Sequence, residues 1–292
     1  MDLDHVIVAV AELDTAIERY EALLGRPAAA RSKHPRGTRN ALFLFEQGPY
    51  LELLAPWDAP ETGSSAGALR ERLEKRDEGL DGIALTSDDL DETITELRER
   101  GLDLADAVAN SGVNADGRVR EWRATRLPAI EGGHAYLVQH SGWDLRRELL
   151  TQPPRDRAAG AVNGIHHVAY DVADAATSSA TCEHHLGLPR LRTIQSARMA
   201  ARVFVHGAGD AAIEFVDSVR ADGPVAARIA RAGHGLSSLA FEVRELEAAV
   251  QQARTAGVAV GDPEPGVLSN SRVARIDPAS ACGVSAQYLQ FS

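Results

Sequence analysis

The stretch "LDHVIVAVAELDTAI" at Leu3–Ile17 is written again 162 residues later as "IHHVAYDVADAATSS" at Ile165–Ser179. This repetition decides the fold, because a self-similar chain folds as copies of one supersecondary unit. At the same offset His5 meets His167, Gly25 meets Gly187, Pro27 meets Pro189 and Glu52 meets Glu214. Fainter copies lie between them, "LDGIALTSDDLDETITELRERGLDL" from Leu80 and "LSSLAFEVRELEAAVQQARTAGVAV" from Leu236, with Gly82 and Ser238 at the histidine position. The chain therefore holds four modules, each of roughly 70 to 85 residues.

Each module opens with a β-branched or apolar run such as "HVIVAV", which fits a buried strand. A helix follows. In "ELDTAIERYEALLG" the apolar residues Leu13, Ile17, Tyr20, Leu23 and Leu24 recur at three- and four-residue steps, and Gly25 supplies the stop. Strand-like runs come next: "NALFLFEQ" and "PYLELLA" in the first module, "ARVFVHG" and "AAIEFVD" in the third. The unit reads βαβββ. "AGALRERLEKR" and "PVAARIARA" read as connecting helices within each half. The paired prolines and mixed charge of "LLTQPPRDRAAGAVNG" place a linker at 150–162, between domains at 1–149 and 163–292.

A chain of 292 residues is long enough for two domains, each with its own core. Its net charge of −11 repels phosphate backbones and anionic membranes, so nucleic acid and membrane are not expected partners. No leader pattern opens the sequence and no uncharged run approaches a membrane span, so a cytoplasmic protein is expected. Cys182 and Cys282 lack the spacing of a redox or zinc pair and read as small buried residues. No GxSxG elbow, P-loop, HExxH or Rossmann glycine pattern is present.

The repeats resemble the vicinal oxygen chelate superfamily, which includes glyoxalases and extradiol dioxygenases. The C-terminal half is similar to methylmalonyl-CoA epimerases in "IHHVAYDV", "IEFVDS", "GHGLSSLAFEVREL" and "DPASACGVSAQYLQ". The N-terminal half resembles glyoxalase-like domains in "LDHVIVAV", "HPRGTRN" and "YLELLAP". The resemblance implies an α+β fold of four βαβββ modules, paired into two U-shaped, partly open barrels whose concave faces hold a divalent metal. The ligand positions it implies are His5, Glu52, Gly82 and Leu137 in the first half, and His167, Glu214, Ser238 and Gln287 in the second. Half of them carry no usual donor.

Alternation along "DHVIVAV" and "YLELL" lets His5 and Glu52 share one concavity. A buried carboxylate needs a cation or strong donors. The pair reads either as part of a metal site, for zinc, iron, manganese, cobalt or nickel, or as a hydrogen-bonded pair in a metal-free pocket. His34 in "KHPRGTRN" is the candidate third ligand and also a candidate substrate contact, and Asn40 a contact to metal or substrate. Glu52 is the candidate catalytic base, and His167, Glu214 and Gln287 are the candidate metal donors of the second pocket. Alternation directs His166 away from His167. Two functions stay open: a metal-dependent isomerase, lyase or dioxygenase acting on a small oxygenated molecule in the N-terminal pocket, or a metal-free protein that sequesters such a molecule. A monomer or homodimer is expected, since the fused halves already supply module pairing.

Overall fold

The computed structural model describes residues 1–57, 65–128, 133–141 and 159–292. Four βαβββ modules follow one another. The first is β1 (Leu3–Ala9), α1 (Leu13–Leu24), β2 (Ala30–Lys33), β3 (Thr38–Phe43) and β4 (Tyr50–Pro56); α2 (Ser65–Arg76) then leads on. The second is β5 (Gly79–Thr86), α3 (Leu90–Glu99), β6 (Val108–Asn114), β7 (Val119–Leu127) and β8 (His134–Ser141). The third is β9 (Val162–Asp171), α4 (Ala175–Thr181), β10 (Arg190–Ser196), β11 (Ala201–Ala208) and β12 (Ala211–Ser218), followed by α5 (Pro224–Ala232). The fourth is β13 (Gly235–Val243), α6 (Leu246–Thr255), β14 (Glu264–Pro265), β15 (Ser271–Ile276) and β16 (Ala286–Phe291). Both expected connectors are helices, α2 and α5. The domain boundary at 149 and most of the linker lie outside the described residues.

Local chemistry explains the elements. In α1 every predicted apolar position is buried, and Gly25 ends the helix with φ +65, as Gly187 does with φ +67 one repeat later. In β1, Leu3, Val6 and Val8 join the core beneath the helices, which leaves His5, Ile7 and Ala9 for the opposite face. The first strand of each half bonds in parallel to the last strand of its module and antiparallel to the first strand of the next. The two halves share one apolar core. Buried hydrogen bonds help to stitch them: Tyr20 donates to the Ala281 carbonyl at 3.1 Å and Tyr288 to the Leu23 carbonyl at 2.5 Å.

The halves differ in closure. The second sheet has the expected open order β10-β11-β12-β9-β13-β16-β15-β14. Its end strand β14 has two residues, one of them Pro265, which cannot donate to a ladder. The first is a closed barrel, β1-β4-β3-β2-β6-β7-β8-β5, rather than partly open, because β2 pairs with β6 at Ser32–Asn114 and Lys33–Val113. Side chains reinforce that seam. Ser32 Oγ donates to Asn114 Oδ1 at 2.6 Å and accepts from Arg120 Nη2 at 2.9 Å, which joins β2, β6 and β7.

Register corrects one expectation. On β8 the position equivalent to Glu52 is Tyr136, not Leu137. His5 and Ile7 pair with Tyr50 and Glu52, just as Gly82 and Ala84 pair with His134 and Tyr136. Leu137 is fully buried in the helix-side core. In the sequence Pro128 to Gly133 and Pro278 to Gly283 are equally spaced, which sets Leu137 opposite Gln287; the strand pairing differs from this by one residue, and a one-residue slip exchanges the faces of a strand. On β16 the expected register holds: Ala240 pairs with Gln287 as Ile7 pairs with Glu52. The "HGAGD" stretch at 206–210 reads as a turn from its glycines, but His206 is not part of one. It is in β11, fully buried, with Ser179 Oγ 2.8 Å from Nε2 and the Leu188 carbonyl 3.0 Å from Nδ1.

Candidate functional site

Inside the closed barrel His5 and Glu52 come together, His5 Nε2 lying 3.3 Å from Glu52 Oε2. His5 is 7% exposed and Glu52 8%. Asn40 on β3 donates from Nδ2 to Glu52 Oε1 at 2.6 Å, and Tyr50 stacks on the His5 ring at 4.6 Å. Behind His5, Asp4 Oδ2 lies 2.6 Å from Nδ1 and also 3.1 Å from His140 Nε2.

Asp4 reaches His5 because β1 is bulged. Leu3 and His5 pair with the adjacent residues Leu85 and Ala84, so Asp4 is the extra residue. Such a bulge re-aims a side chain that plain alternation would send to the other face. The same bulge recurs on β9, where Ile165 and His167 pair with Phe241 and Ala240 and His166 is the extra residue. His166 therefore turns toward His167, with their Nδ1 atoms 2.8 Å apart, contrary to the expectation that it faces away.

The bulge residue is Asp4 in one half and His166 in the other, and the electrostatics of the two halves are opposite. Burial by itself depresses a histidine, but hydrogen bonds to Asp4 and Glu52 outweigh it and raise His5 to about 9. Burial likewise pushes Glu52 up, yet His5, His34 and Asn40 hold it at about 2. Imidazolium and carboxylate are both charged at neutral pH. In the second half, burial lowers His167 to about 4, helped by the Arg192 charge. Burial also lowers His166 to about 4, with the His167 charge adding to it, and raises Glu214 to about 7. His167 Nε2 stands 3.7 Å from Glu214 Oε2. That second pocket favours neutral groups.

The expected N-terminal metal set of His5, Glu52 and His34 does not assemble. Among the described residues no three histidine, cysteine, aspartate or glutamate side chains gather as a metal ion needs. His5 and Glu52 are two donors where a catalytic ion takes three. His34 Nδ1 lies 2.8 Å from Thr38 Oγ1, and its ring meets Trp122 edge-on at 5.5 Å. Gly82 has no room for a donor, since a Cβ there would lie 2.5 Å from the His134 carbonyl oxygen. The residues present therefore do not fit a three-ligand divalent centre, and no step below passes through one.

Sequence reasoning missed several interior groups: Asp4, Tyr50, Ser32, Arg120, Trp122 and Tyr136. In "VREWRATRL" the pair Arg120 and Trp122 shares a face, alternating with exposed Val119 and Glu121 and half-buried Arg123. That alternation was the available signal.

Residues 3–186 match the family described as glyoxalase-like domain, and residues 166–274 match the glyoxalase/bleomycin resistance protein/dioxygenase superfamily. The chain belongs to the glyoxalase-like family, within the vicinal oxygen chelate superfamily. No curated protein matches it in sequence. A triple mutant of 4-hydroxymandelate synthase from Streptomyces coelicolor aligns over 100% of this chain and 92% of its own, at 14% identity and a TM-score of 0.67, and so shares the fold. Methylmalonyl-CoA epimerase from Mycobacterium tuberculosis aligns at 24% identity over 45% of this chain and 89% of its own, with a TM-score of 0.42. A hypothetical protein from Bacillus halodurans aligns at 22% identity over 44% of this chain and 94% of its own, also at 0.42. No helix among the described residues is long and apolar enough to cross a membrane.

Proposed function

We propose that the N-terminal barrel binds a small oxygenated organic molecule and moves a proton on it, as an isomerase or lyase, with Glu52 as base and His5 as acid. The buried contact of His5 Nε2 with Glu52 Oε2, backed by Asp4 on Nδ1, carries this reading. As the pair stands, Glu52 is a weak base because His5 and Asn40 stabilise its charge. A substrate carbonyl oxygen that accepts the Nε2 proton's hydrogen bond withdraws that support and raises Glu52 toward basicity. The imidazolium then faces the oxygen on which negative charge develops when Glu52 removes the neighbouring carbon-bound proton. Asp4 keeps the ring charged and oriented through Nδ1.

The test is exchange in heavy water. Small hydroxy and oxo carbonyl compounds are incubated with the full chain, and proton NMR follows loss of the carbon-bound hydrogen. Glu52→Gln is expected to slow exchange about 10²- to 10⁴-fold. Elemental analysis of protein purified without chelator, beside His5→Ala, runs in parallel. Stoichiometric metal that vanishes in His5→Ala would replace this chemistry with metal-assisted chemistry.

The second reading is sequestration of a small molecule without turnover. What favours it is the loss of usual donors in both halves, at Gly82 and Tyr136 and at Ser238 and Gln287. Tight binding with no exchange for any compound would decide for it.

A further inference from the structure

The interior of the first barrel holds a cation without a counter-ion. Arg120 on β7 is 9% exposed, and its one hydrogen bond among the described residues is from Nη2 to the neutral Ser32 hydroxyl, whose own proton goes to Asn114. Its Nε is buried with no partner. The two interior carboxylates, Asp4 and Glu52, are engaged with His5, and no ion pair of Arg120 is found among the described residues. A guanidinium presents five donors and keeps its charge, so burying it unpaired is costly.

Two more buried polar atoms of this barrel lack a partner among the described residues, His34 Nε2 over Gly112, the cross-strand neighbour of Arg120, and Oδ1 of Asn40, which pairs across strands with Ser32. His34 lies over Gly112, where a Cβ would come within 3.1 Å of its Cδ2, and against the Trp122 edge. A guanidinium, a ring nitrogen and an amide oxygen are thus left unsatisfied around an aromatic wall in one closed barrel.

We infer that Arg120 is an anion site, which holds the carboxylate of a small organic acid while its body rests against Trp122 and His34. Planar two-point pairing is the interaction a guanidinium makes best, and it satisfies Nε together with a terminal nitrogen. This names the substrate class of the barrel and rests on the proposed function only in assigning that acid as the substrate. The anion site itself is a matter of binding.

Calorimetric titration of the full chain with benzoate and acetate, each against its neutral amide, benzamide and acetamide, tests it. The carboxylates are expected to bind about tenfold or more tightly than the amides, the worth of one charge-assisted contact. Arg120→Met is expected to erase that preference and to melt no lower than the wild type, since a buried uncompensated charge has gone. Arg120→Lys, which keeps charge but not the fork, is expected to retain part of it. Glu52→Gln keeps the preference while losing proton exchange, so the two ideas fail separately. No preference in the wild type, or one that survives in Arg120→Met, overturns the anion site.

Discussion

Asp4 and His166 occupy the same bulge in the two halves, each with its side chain against the histidine that follows it, at 2.6 Å from His5 and 2.8 Å from His167. The Asp4 carboxylate helps to hold His5 charged, whereas burial and the Arg192 charge leave His167 neutral beside His166. The concavity with Asp4 at its bulge holds an ion pair, and the one with His166 there does not.

Exchanging that residue should exchange the behaviour. Asp4→Asn is expected to bring His5 down from about 9 to its ordinary value or lower, and His166→Asp to raise His167 from about 4 to above 6.5. NMR titration of labelled histidine reads both. Unmoved values in both variants would mean that burial, not the bulge residue, sets the charge.

Stability should follow pH through the same groups. His5 is raised above its unfolded value of 6.5, so its contribution is whole below pH 6.5 and is lost as pH rises through about 9. Glu52 is depressed below 4.5, so its contribution is whole above pH 4.5 and is lost as pH falls through about 2. His166 and His167 are depressed from 6.5 and add a loss as pH falls from 6.5 through about 4. Glu214, raised from 4.5, adds a loss as pH rises through about 7. Thermal melts across pH are expected to show an alkaline decline that Asp4→Asn flattens. An unchanged decline would remove His5 as its source.

Gly82 stands at the histidine position of its module, and the backbone leaves no room for a side chain there. Gly82→Ala is expected to cost about 1–3 kcal/mol, because its Cβ meets the His134 carbonyl oxygen at 2.5 Å inside a bonded parallel pair. Gly82→His should melt lower still and gain no metal. A stable Gly82→His that binds zinc stoichiometrically would show that the sheet yields.

Asn40 is 3% exposed and donates to Glu52. Asn40→Ala is expected to destabilise by about 1–3 kcal/mol and to raise Glu52. Denaturant unfolding and a carboxyl titration measure the two effects. Loss of stability with no movement of Glu52 would make Asn40 a packing residue only.

The sequence by itself determined the four modules, their βαβββ order, the helix faces and the convergence of His5 with Glu52. Those depend on periodicity and on a repeat, and both are local properties that survive in a string of letters. The closing of the first barrel, the inward turn of Asp4 and His166, and the exchange of Leu137 for Tyr136 were decided only in three dimensions. Bulges and one-residue slips depend on which strand lies alongside, and alternation within one strand is blind to its neighbour. Arg120 shows the same limit. Its alternation with Trp122 was readable, but its lack of a carboxylate became visible only once β2, β6 and β7 stood side by side and Asp4 and Glu52 had both gone to His5.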